Sequence, residues 1–278
     1  MTYQRVGISL IMVCVVTSAA FAQMGTPNLA PATPWQTDDV EAAIEARVWE
    51  GDGNQTFTIS LRGQTDDNAD AQISYFTMDT MGEDPISGVV RRSDLGLLGF
   101  AFTWALADGG TRIAIRPGFE FVVKGALGTN TVTGHSAAWN DPILTLAVPV
   151  EWDLSEDTTI LLQPKAALFE SRARTSYGTS IESFGTVIGI GAGVIHDMDG
   201  WQLFGDATAI VEGDNSIDEN TNAVTDELVF SGGVRWEASS DWTVDVFATN
   251  AAGPTSATSL IATPGQSMGV GVRVGGVF

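Results

Sequence analysis

The sequence predicts an all-β fold: a transmembrane, antiparallel, up-and-down β-barrel of twelve strands, within a range of roughly ten to fourteen. Three observations predict it. Apolar and polar residues alternate with period two through segments of about 10 residues, the length a tilted strand needs to cross a bilayer. The connections between these segments alternate short and long. Tryptophan gathers beside the short ones.

Taken in order, the chain opens on "MTYQR", an apolar run "VGISLIMVCVVTSAA", and the small-x-small triplet Ala20-Phe21-Ala22. Residues 1–22 are read as a secretory signal peptide, cleaved before Gln23. Its apolar run is too short and wrongly flanked for a stable membrane span. The single cysteine, Cys14, lies inside it, so no disulfide is expected in the mature chain. Residues 23–39, rich in Pro and polar residues, read as an extended tail.

Residues 40–278 carry the barrel. Candidate strands fall at about 40–49, 55–63, 71–78, 97–106, 111–123, 142–152, 158–170, 184–196, 200–212, 226–238, 241–250 and 267–278. Short connections are expected at Ala107–Gly110, Asp153–Asp157, Asp197–Asp199 and Ser239–Ser240. Long ones are expected at Asp79–Gly96, Lys124–Asp141, Ser171–Ser183, Gly213–Thr225 and Ala251–Gln266. A soluble sandwich has no reason to sort its loops by parity, whereas a membrane barrel has short turns on one side and long loops on the other.

Trp104, Trp152, Trp201, Trp236 and Trp242 sit within a few residues of short turns and share the apolar parity of their strands. Phe278 falls at the same edge, at the close of the alternating run "MGVGVRVGGVF". Amphipathic aromatic rings at one level form a girdle where membrane meets water.

The charge balance excludes one class of partner. There are 13 Lys and Arg against 34 Asp and Glu, a net charge of −21. Loss of the leader removes Arg5 and no acid, leaving −22. Nucleic acid binding by phosphate neutralisation is therefore not expected. Yet 44% of residues are hydrophobic and only 17% charged, which argues against a disordered acidic chain.

The leader, the strands and the "VRVGGVF" ending together resemble a Gram-negative outer-membrane β-barrel protein of the porin-like class. The resemblance implies a place in the outer membrane with both termini periplasmic, so that residues 23–39 become a periplasmic N-terminal tail. It implies outer-membrane lipid as a partner. It also implies recognition of the last strand, with its terminal Phe278, by the barrel-assembly machinery. No functional family within the class is indicated.

With the apolar parity facing lipid, the opposite parity faces the lumen. Arg112, Arg116 and Glu120 then point inward from the fifth strand, and Glu151 and Lys165, with Gln163, from the sixth and seventh. The ninth contributes Asp206 with Gln202 and Thr208, the tenth Arg235 and Glu237, the eleventh Asp245, and the last Arg273. Glu45, Arg47, Thr58, Ser60 and Arg62 are the inward set of the first two strands. Sorting of this kind is forced, because Arg or Lys on the lipid face costs about 2–4 kcal/mol near the midplane. The tight hairpin at Ser239–Ser240 sets Arg235 directly or diagonally opposite Asp245 as an ion pair. Such charges either satisfy one another within a narrow barrel or line a solute path.

Other motifs lead nowhere chemically. "GIGAG" at Gly189–Gly193 looks like a phosphate loop, but no helix follows, and its glycines make a small-residue lumen face. His135 and His196 fall on opposite sides of the membrane, so they cannot share a site, and no catalytic constellation or enzymatic activity is expected. The acidic runs "TDDNAD" and "EGDNSIDEN" lack the spacing of a calcium loop and read as solvated connections. No cofactor and no metal site is expected. The function expected is a narrow passive channel for small solutes or ions. The alternative is a non-transporting structural or adhesive barrel that displays acidic extracellular loops, with Glu83, Asp84, Asp214, Asp218 and Glu219 among their charges.

Overall fold

The computed structural model describes residues 25–34, 39–49, 55–83, 90–107, 109–124, 142–169, 174–176, 179–181, 184–217, 224–263 and 267–278. Residues 1–22, read as a leader, lie outside this set. Twelve strands make one closed antiparallel barrel: β1 (Val40–Trp49), β2 (Gln55–Asp66), β3 (Ala69–Glu83), β4 (Val90–Ala107), β5 (Thr111–Lys124), β6 in two segments (Ile143–Ala147 and Val150–Ser155), β7 (Thr158–Leu168), β8 (Thr186–Met198), β9 (Trp201–Glu212), β10 (Val229–Ser239), β11 (Trp242–Thr249) and β12 (Gly269–Val277).

Closure comes from β12 pairing with β1, in register from Glu41↔Val277 to Trp49↔Gly269. Phe278 completes the seam, its N–H donating to Val40 O and its carbonyl accepting from Val40 N, both at 3.0 Å. No barrel strand is left with an unpaired edge, which is what a bilayer demands of a sheet.

The strand order follows the sequence reading, with corrections that have physical causes. β6 is interrupted at Val148 and Pro149 because proline has no N–H for the ladder. Pairing with β5 keeps one register on both sides of the gap, Arg116↔Ala147 before it and Ile113↔Val150 after it. The supposed long loop Asp79–Gly96 is mostly strand, since β3 and β4 stay paired from Ala69↔Trp104 out to Glu83↔Val90. Period-two patterning fades there because strand that has left the membrane has no lipid face to keep apolar. The run "TDDNAD" is a tight turn at Asp67–Asn68 between β2 and β3, and its last residue, Asp70, is buried inside the barrel. At the turn between β8 and β9, Gly200 takes φ of +83°, a left-handed conformation that glycine reaches without steric cost.

Burial is inverted relative to a soluble protein. Along β1 the fully buried residue is Arg47, while its neighbour Val48 is 56% exposed. The same inversion runs around the wall: Ile44, Leu61, Ile73, Leu146, Ile190, Val246 and Val270 face outward, and Thr58, Arg62, Glu120, Gln163, Asp206 and Asp245 are buried. An apolar outer surface this continuous is the pattern that a barrel wall in a bilayer requires.

At the short-turn edge, Trp104, Trp201, Trp236 and Phe278 are exposed, and Trp152 and Trp242 are half-buried. Trp201 and Trp236 are register mates and stack with ring centroids 6.0 Å apart. Trp242 meets the Phe278 ring edge-on at 5.6 Å. A barrel closed in this way is expected to migrate faster in SDS gels before boiling than after it. Identical mobility in both states would count against the closed barrel.

Candidate pore lumen and its two inserted segments

Two stretches of chain occupy the lumen, one from each end. The first is residues 25–34. The tail reading of 23–39 as a periplasmic extension is corrected here, because this part of it lies inside the barrel and is almost wholly buried. Its polar backbone is satisfied by the wall. Ala32 N donates to Glu151 Oε1 at 2.9 Å, and Ala30 N to Gln163 Oε1 at 3.2 Å. Asn28 Nδ2 donates to Asp206 Oδ1 at 3.1 Å, Arg62 Nη2 donates to Thr33 O at 3.2 Å, and Arg235 Nη2 donates to Gly25 O at 2.9 Å.

Leu29 supplies the one large apolar side chain of the segment, and β8 makes room for it. A Cβ on Gly191 would lie 2.5 Å from Leu29 Cδ2, and one on Gly193 would lie 3.1 Å from Leu29 Cδ1. The glycines of "GIGAG" are therefore the seat of the inserted segment. A side chain on that face would occupy the same space.

The second insert is the connection between β11 and β12, expected as a long external loop at Ala251–Gln266. Residues 250–263 instead fold back into the barrel around a short 3-10 turn at Thr258–Leu260. Leu260 and Ile261 join Phe76, Leu97, Ile143 and Phe169 in an apolar cluster under the long-loop end. Two asparagines splint the loop. Asn215 Nδ2 donates to Leu260 O at 2.7 Å, and Asn250 Nδ2 donates to Leu228 O at 2.7 Å.

Glu120 anchors this loop, accepting from Ala257 N at 2.7 Å and Thr255 Oγ1 at 2.8 Å. Arg47 holds its start, donating from Nη1 to Ala251 O at 2.9 Å. Lys165 joins the two inserts. Its Nζ donates to Asn28 O at 3.1 Å in the first, and to Ser259 O at 3.0 Å and Ser259 Oγ at 3.2 Å in the second.

The remaining lumen charges form a chain of pairs around the wall. Arg235 and Asp245 stand directly opposite in the β10–β11 register, with Arg235 Nε donating to Asp245 Oδ1 at 2.8 Å. Arg273, opposite Asp245 on the other side, donates to Asp245 Oδ2 from Nε at 2.9 Å. One buried carboxylate thus serves two guanidiniums. Arg112 pairs with Glu151 at 3.1 Å and takes Asp153 in a fork at 2.8 Å. Arg62 pairs with Asp70 at 2.5 Å, and Arg47 with Glu45 at 2.6 Å. Arg116 donates to Thr103 Oγ1 at 2.5 Å and to Gln72 Oε1. Asp206 also accepts from Ser231 Oγ.

The structure therefore brings together Arg116, Glu120, Lys165, Asp206, Arg235 and Asp245 as buried lumen groups with Arg273 half-buried beside them, and Arg112 and Glu151 near the short-turn end. The loop acids are not assembled into one mouth among the described residues. Asp84, Asp218 and Glu219 lie outside them, Glu83 ends β3, and Asp214 is half-buried. His135 also lies outside, and His196 Nδ1 shares a 2.9 Å hydrogen bond with Thr158 Oγ1 near the short-turn end. No group of three or more potential metal ligands occurs among the described residues.

The residues that sequence reasoning passed over include those of the inserts: Asn28, Leu29, Thr255 and Ser259. One signal for them exists. The stretches 25–34 and 250–263 contain no ionisable side chain, in a protein whose other long connections all carry charged residues.

Between the inserts and the wall of β1 to β7 and β12 a cavity of about 130 Å³ remains. This closed antiparallel barrel of twelve strands, apolar outside and charge-paired within, shares its fold with solved outer-membrane channels and porins. No protein-family model matches the sequence, and no curated relative does. Among solved structures, the chain is similar to an outer-membrane channel from Pseudomonas putida F1, with 11% identity and a TM-score of 0.64 over 89% of this chain and 98% of that one. It is also similar to the NanC porin, with 9% identity and a TM-score of 0.55 over 84% and 98% of the two chains. The KdgM porin follows at 7% identity and a TM-score of 0.53 over 86% and 99%.

Proposed function

We propose that this protein is a narrow outer-membrane channel of a Gram-negative bacterium, passing small solutes or ions and closed at rest by residues 25–34. The observation that carries this reading is how the lumen is filled. Twelve strands enclose more space than the wall side chains fill, and "GIGAG" on β8 keeps that space open. What fills it is uncharged chain held by hydrogen bonds, a filling that can leave without unfolding the wall. The fold shared with an outer-membrane channel and two porins supports the same reading. In it the short turns and both termini are periplasmic, lipid surrounds the apolar belt, and the assembly machinery reads β12 with Phe278.

A specific observation favours the alternative, a barrel that transports nothing. The apolar cluster under the long loops packs residues 250–263 into the wall as a core would.

Planar-bilayer conductance separates the two. The intact barrel is expected to give small, infrequent openings, and a variant lacking residues 25–34 several-fold larger and steadier ones. Gly191→Leu, which fills the seat of Leu29 while leaving the segment present, is expected to act in the same direction. Absence of conductance in all three proteins leaves the closed barrel as the function.

A further inference from the structure

The cavity between the two inserts is built as a binding site. Its floor is a row of small residues that are register mates across four strands: Ala43↔Ser60, Ser60↔Ser74 and Ser74↔Gly99. Each member of that row is short, so the row leaves a recess where larger residues would meet across the lumen.

Two opposite charges border the recess. Glu41 on β1 and Arg116 on β5 both line it, both are buried, and neither forms an ion pair among the described residues. Every other basic residue bordering the recess has a carboxylate or a full set of acceptors. Further buried polar atoms of lining residues have no hydrogen-bond partner among the described residues, Glu45 Oε2, Thr58 Oγ1, Arg62 Nε and Thr145 Oγ1 among them. An unpaired buried polar atom costs about 1–3 kcal/mol, so a group of them around one recess implies an occupant that completes them.

We infer that this recess binds a small zwitterion of the free amino acid class. Its carboxylate lies toward Arg116 on β5, and its ammonium toward Glu41 and Glu45 on β1. Size agrees, since a cavity near 150 Å³ admits a molecule of about six heavy atoms, and a small amino acid has that many. Charge decides the class. A simple anion leaves the Glu41 carboxylate facing it, and a simple cation leaves the Arg116 guanidinium facing it. A solute with both charges satisfies both sides at once, and the two threonine hydroxyls take its remaining hydrogen bonds. As an account of what the channel selects, this rests on the channel reading; as a binding site it stands alone.

The test is calorimetric titration of the folded, detergent-solubilised barrel with L-alanine, propionate, ethylamine and glycerol. L-Alanine is expected to bind saturably, with the three single-function probes about tenfold weaker or worse. E41Q and R116Q should each weaken L-alanine binding by about tenfold, the loss of one charged hydrogen-bonding partner. T145V, which keeps the shape and removes one hydroxyl, should give a smaller loss and serves if a charge variant fails to fold. Absence of saturable L-alanine binding, or equal binding of propionate, overturns the inference. Conductance without alanine binding removes this inference alone, and alanine binding without conductance removes the channel alone.

Discussion

Deleting Phe278 is expected to lower the yield of folded barrel by about tenfold or more. The residue closes the seam through two backbone hydrogen bonds to Val40 and packs its ring against Trp242. Without it, Val40 N–H and C=O lose their partners at the membrane edge. Each unsatisfied backbone group in hydrocarbon costs several kcal/mol, and about 1.4 kcal/mol is a factor of ten. Phe278→Asp keeps the backbone pair but sets a carboxylate where the ring met Trp242, so its defect should be smaller than that of the deletion. Ser240→Asp, in an exposed turn at the same end, is the control and should assemble normally. The measurement is the heat-modifiable fraction in outer-membrane preparations, and equal yields for the deletion and the control would refute the role given to the seam.

The second large effect is expected at Asp245. Its carboxylate is shared by Arg235 and Arg273, which approach it from β10 and β12. Asp245→Ala leaves two guanidiniums facing each other in the lumen wall without the anion between them. Removing one partner of a buried pair costs about 3–5 kcal/mol, whereas replacing the whole set by apolar residues of similar volume is often neutral. The triple variant Arg235→Met, Asp245→Leu, Arg273→Met should therefore unfold at a higher denaturant concentration than Asp245→Ala alone. The reverse order, read from urea unfolding of the barrel in micelles, would mean that the network matters for its hydrogen bonds rather than its charge balance.

What the sequence made legible was whatever the bilayer dictates. Lipid on one face enforces period two, so β5 to β12 can be read directly, and the inward parity of Arg112, Lys165 and Asp206 follows. The Arg235–Asp245 pair was legible because a two-residue hairpin leaves little choice of register. The outer halves of β3 and β4 were not, since Asp79–Glu83 and Val90–Asp94 pair as strand with no membrane to pattern them. Asp70 was hidden in a run of acids that looked like solvent-facing loop, because its partner Arg62 is a cross-strand neighbour and not a sequence neighbour. The inserts were the largest omission. Their burial is decided by vacant space inside the barrel, and that space is recorded on a distant strand, in the glycines of β8.

The position of the inserts along the chain has a consequence for assembly. Residues 25–34 lie a few residues before β1, and residues 250–263 run on from β11 and lie a few residues before β12, so both are tethered to strands of the seam. In the closed barrel both meet at Lys165. The ammonium of Lys165 then receives acceptors from both at once, which makes it a mark of completion: a barrel still ajar at the seam is also hollow. Any later parting of β1 from β12 moves the tethers of both stoppers together, so a sideways opening of this wall and an unblocking of its bore are one motion.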